Sequence, residues 1–81
     1  MKYGLIGVDG NAYSIMGYTA KALKMEGLYD LVDEMYAQAT SGDYDNLISV
    51  CMEYVEIAND EAVENGWRDW DDTWQDVEED W

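Results

Sequence analysis

The side chains that do most enzyme chemistry are scarce in this sequence. It has no histidine and a single cysteine, Cys51. Without histidine the commonest general base is missing, and neither a Ser–His nor a Cys–His nucleophile can be assembled. Cys51 falls on the apolar side of a predicted helix, where a thiol is inert packing rather than a nucleophile. Carboxylates are so numerous that no one pair stands out as an acid/base couple. The expectation is a protein that is not an enzyme, with no catalytic residue, no metal site and no cofactor.

Two local patterns suggest ligands and fall short. Gly4, Gly7 and Gly10 lead from an apolar run toward a helix, loosely like a phosphate-cradling loop. The spacing is not the dinucleotide fingerprint, and Asp9 would repel a phosphate, so a tight turn is the better reading. A small-ligand site at Gly7–Asn11 is a weaker third idea. Asp43, Asp45 and Asn46 resemble the start of a calcium loop, but the sixth-position glycine and the distal glutamate are out of register, which leaves helix capping.

Charge is the informative feature. The 81 residues carry 19 Asp and Glu against 4 Lys and Arg, a formal net charge of −15. Such a field repels nucleic acid and anionic membranes and attracts basic surfaces, most of which belong to nucleic-acid-binding proteins. The acids are concentrated late: residues 43–81 hold 14 of them with Arg68 alone opposing. The first half reads as scaffold and the second as interacting surface. A lone cysteine, no signal-like start and no long apolar run fit a cytoplasmic protein outside the membrane.

The elements that must position these charges follow from periodicity. The length suits a single domain over residues 1–81, with a scaffold over 1–59 and an acidic, Trp-rich helix over 60–81. The predicted class is α+β and mostly helical: a short N-terminal strand followed by three or four amphipathic helices. Lys2 to Val8 reads as the strand. Asn11 caps a helix from Ala12 to about Glu26, with Gly27 at its end. A second helix runs over Leu28 to Thr40, and Asp43 caps a third, roughly Tyr44 to Asn59. A lone strand needs a partner. Tyr54 to Ala58 or a second copy of the chain would supply one.

In the last segment Val63, Trp67, Trp70, Trp74, Val77 and Trp81 recur at spacings of 4, 3, 4, 3 and 4, a heptad-like seam. Trp67 and Trp70 read as core, while Trp74 and Trp81 stay open between core and contact. As one helix, residues 60–81 would span about 33 Å and carry about one net charge per 3.7 Å, near the roughly 3.4 Å per phosphate of a DNA strand. The candidate partner-binding residues are therefore Asp69, Asp71, Asp72, Trp74, Asp76, Glu78, Glu79, Asp80 and Trp81.

The stretches Gly7-Val8-Asp9-Gly10-Asn11-Ala12 with Ile15-Met16-Gly17, and Ala39 to Leu47 followed by Met52-Glu53-Tyr54-Val55, resemble a group of short uncharacterised proteins of phage and bacterial genomes. The likeness covers about residues 4–57 and implies no activity. In general character the chain is similar to acidic phage inhibitors of host defence, the anti-CRISPR and anti-restriction proteins. That likeness implies a DNA mimic that blocks a basic, nucleic-acid-binding surface of a host nuclease complex, without itself binding nucleic acid. The other reading is a helical interaction module, a homo-oligomer among its forms, that docks through an exposed tryptophan seam.

Overall fold

A computed structural model describes residues 2–67. Three helices make up its regular structure: α1 (Ala12–Met25), α2 (Asp30–Ala39) and α3 (Tyr44–Glu64). All three pack on one another. The expected caps begin α1 and α3. The Asn11 side chain accepts the Tyr13 N–H at 2.8 Å, and Asp43 accepts the Asn46 N–H at 2.9 Å. Each satisfies one of the orphan donors at a helix start.

Two helices end in the same way. At α1 the Leu28 N–H reaches the Leu23 carbonyl and the Gly27 N–H the Lys24 carbonyl, with Gly27 at φ +79°. At α3 the Trp67 N–H reaches Ala62 and the Gly66 N–H reaches Val63, with Gly66 at φ +108°. Both are left-handed glycine stops that satisfy the last carbonyls. The residue after each glycine, Leu28 or Trp67, folds back as a half-buried side chain against the core.

The core is formed from the inner faces of the three helices. Leu23, Met35, Cys51, Ala58 and Ala62 are fully enclosed, together with Thr19, whose hydroxyl donates to the Ile15 carbonyl at 2.9 Å. That local bond lets a polar residue occupy the centre without an unpaired hydroxyl.

The predicted N-terminal strand is not present, and no strand occurs among the described residues, so the class is all-helical rather than α+β. The apolar run is broken by its own turn: the Val8 N–H bonds to the Leu5 carbonyl, Gly7 takes φ +89°, and Ile6 is fully exposed. Tyr3 alone is buried, and its backbone finds a side chain instead of a strand. The Tyr3 N–H donates to Asn59 Oδ1 at 2.8 Å, and Asn59 Nδ2 donates to the Tyr3 carbonyl at 3.0 Å. One amide thus replaces one rung of a ladder. Tyr54 to Ala58, offered as a partner strand, lies within α3.

The predicted ends of the later helices also shift. The third helix runs five residues past Asn59, to Glu64, and then stops at Gly66. A single helix over 60–81 is therefore interrupted before Trp67, and Val63 and Trp67 do not share one continuous helical face. Val63 is exposed, whereas Trp67 is half-buried. The rest of the seam lies outside the described residues.

Candidate functional site

The helices sort charge by element. Every charged residue of α2 (Asp30, Asp33, Glu34) and of α3 (Asp45, Glu53, Glu56, Asp60, Glu61, Glu64) is acidic. The charged residues of α1 are Lys21 and Lys24 alone. On α3 the exposed carboxylates Glu53, Glu56, Asp60 and Glu64 fall at i, i+3, i+7 and i+11, which places them in one stripe. The stripe rises about 16.5 Å along the helix.

A second helix adds to this stripe through a fixed polar contact. Tyr54 donates its hydroxyl proton to Glu34 Oε1 at 2.8 Å, and Gln38 Nε2 bonds to both that carboxylate (3.3 Å) and the tyrosine oxygen (3.2 Å). Burial pushes the Tyr54 phenol up, and its bond to Glu34 and the charges of Glu34 and Glu53 add to the shift, to about 12. The hydroxyl therefore stays protonated and holds Glu34 at the edge of an open groove of about 320 Å³, lined by Gln38, Glu53, Tyr54, Glu56, Ile57 and Asp60. The four α3 carboxylates fall about one per 5.5 Å of rise, wider than the roughly 3.4 Å per phosphate along one DNA strand, and Glu34 of α2 adds a fifth charge beside them.

This arrangement works against the helix that carries it. Glu53/Glu56, Glu56/Asp60 and Asp60/Glu64 are like-charged neighbours at i,i+3 or i,i+4, each unfavourable by about 0.2–0.5 kcal/mol. The last turn of α3 holds no basic residue, so Glu61 and Glu64 face the negative end of the helix dipole. The groove has acceptors and an exposed apolar side chain, Ile57, suited to a cationic surface with aliphatic stems. Among the described residues no group of three or more His, Cys, Asp or Glu is placed to hold a metal ion.

Glu26 is acidic but plays a different part. It is only 7% exposed and accepts bonds from Lys2 Nζ (2.9 Å), Asn65 Nδ2 (3.0 Å) and the Tyr3 hydroxyl. Burial pushes its carboxyl upward, but these three donors outweigh burial and hold it near pKa 2. The cluster ties the N-terminal segment to the ends of α1 and α3, which makes it a structural clamp.

Asp69, Asp71, Asp72, Trp74, Asp76, Glu78, Glu79, Asp80 and Trp81, the partner-binding residues expected from sequence, lie outside the described residues. The stripe on α3 was not among them. Its signal was present in the sequence as the 3, 4, 4 spacing of Glu53, Glu56, Asp60 and Glu64, hidden by ending the third helix at Asn59. No helix among the described residues is long and apolar enough to cross a membrane. Compared with known proteins, the chain matches no family, no curated protein and no solved structure.

Proposed function

We propose that the chain is a non-enzymatic acidic inhibitor that occupies a basic, nucleic-acid-binding surface of another protein in place of DNA. The observation that carries this reading is the all-acidic charge of α2 and α3, with Glu53, Glu56, Asp60 and Glu64 aligned and Glu34 fixed beside them. Fold stability does not favour that alignment, because the like charges and the uncompensated dipole oppose it. Asp69, Asp71, Asp72, Asp76, Glu78, Glu79 and Asp80 belong to the same proposal on charge alone. The character shared with acidic phage inhibitors makes a host-defence nuclease the partner class to test first.

The test is displacement. Fluorescent duplex DNA is bound to an RNA-guided nuclease and, separately, to a restriction nuclease, and the full chain is titrated in. Displacement is expected, weakening steeply between about 50 and 200 mM salt as ion release loses its force. Replacing Glu53, Glu56 and Glu64 by Gln and Asp60 by Asn should weaken it by about tenfold or more. No displacement from either nuclease at low salt, or equal displacement by the neutral variant, overturns the role given to this face. Displacement that ignores salt would instead favour docking through tryptophan.

A further inference from the structure

Among the described residues, the outer face of α1 carries no carboxylate of its own helix. Tyr13, Gly17, Lys21 and Lys24 are exposed at i, i+4, i+8 and i+11, a single stripe along the helix. Tyr13 is 82% exposed, and Met25 beside the stripe is 58% exposed. Gly17 is the one glycine inside a helix of the described residues, and a Cβ built there meets nothing within 4 Å. Nothing within the monomer requires glycine at this position, although glycine disfavours a helix interior relative to alanine. A missing Cβ on an exposed face lets another backbone come close.

We infer that α1 is a self-association surface, on which a second copy of this chain packs antiparallel with the two-fold axis through Gly17. The occupant follows from the spacing. About such an axis, residue 17−k of one copy faces residue 17+k of the other. Tyr13 therefore meets Lys21 of the second copy twice over, placing an ammonium against an exposed ring. The face complements itself, and the two Lys21 side chains are kept about 12 Å apart along the axis, beyond the screening length at physiological salt. For a protein of net charge −15, α1 is also the one of the three helices whose own charges are basic, since α2 and α3 carry only acids. This inference is independent of the proposed inhibitory function, which uses the other two helices.

The test is sedimentation velocity on the full chain, up to about 1 mM and at low and high salt. A dimer is expected, and its share should rise with salt, because screening relieves the long-range repulsion of two strongly negative bodies more than it weakens close contacts. Gly17→Gln should weaken association by about tenfold or more, since the added side chain stands where the helices meet. Its thermal midpoint, measured at monomeric dilution, should not fall, because the site is open within the monomer. Tyr13→Ala is a second variant at an exposed position and should also weaken association. A chain that stays monomeric throughout, or a dimer indifferent to both substitutions, overturns the inference.

Discussion

Neutralising the acidic stripe of α3 should stabilise the protein. The perturbation is the quadruple change Glu53→Gln, Glu56→Gln, Asp60→Asn and Glu64→Gln, all at exposed positions of one helix face. Four like-charged neighbour pairs disappear, Glu53/Glu56, Glu56/Asp60, Asp60/Glu64 and Glu61/Glu64, at about 0.2–0.5 kcal/mol each. Removing Glu64 from the last turn relieves the dipole by about a further 0.3–1 kcal/mol. The sum is about 1–3 kcal/mol of added stability at low ionic strength. For a domain of this size each kcal/mol moves the thermal midpoint by about 4–8 °C, so a rise of about 4–24 °C is expected. Thermal melts followed by circular dichroism, in dilute buffer and at about 1 M salt, give the reading. The gain should shrink at high salt, where the screening length falls to about 3 Å. An unchanged or lowered midpoint in dilute buffer would refute the reasoning, because the carboxylates would then be supporting the fold rather than opposing it.

Two further outcomes concern the N-terminal attachment. Asn59→Leu removes both bonds to Tyr3 and leaves a buried N–H and C=O unpaired, so urea denaturation should show a loss of about 2–4 kcal/mol. Glu26 has its folded pKa depressed to about 2 from the ordinary carboxylate value of 4.5, so its contribution is complete above about pH 4.5 and is lost as pH falls toward 2. Glu26→Gln should flatten the part of the stability–pH curve that falls in that window, and a variant curve parallel to the parent's there would show that the clamp is not what titrates.

How much of this was legible in the sequence depends on whether a signal was local. The helix starts at Asn11 and Asp43 were legible, because a cap acts on amides two or three residues away. So was the stop at Gly27. The apolar residues Ile15, Met16 and Leu23 of α1 and Val32 and Met35 of α2 recur at helical spacing, a local pattern, and all five are buried in the fold. The errors have long-range causes. Tyr3, Leu5, Ile6 and Val8 have strand-like composition, but whether they pair depends on Asn59, 56 residues from Tyr3. The end of α3 was misplaced because Asn59 reads locally as a helix terminator. Its amide is instead occupied by the Tyr3 backbone, and the helix continues to the glycine stop at Gly66. The acidic character was evident from composition alone, but the face that presents it depended on where that helix ended.

The two surfaces respond to salt in opposite senses, and that separates their causes. Attraction between the acids of α2 and α3 and a basic partner is a sum over opposite charges and weakens as the screening length shrinks. Association through α1 works against the mutual repulsion of two chains of net charge −15, so salt should strengthen it until close contacts dominate. The stripe substitutions sharpen the contrast. Removing four carboxylates lowers the charge of each copy to −11, which should weaken partner binding and strengthen self-association at the same low salt. A variant that lost both together would point to one shared surface, and the division of labour between α1 and the acidic helices would have to be abandoned.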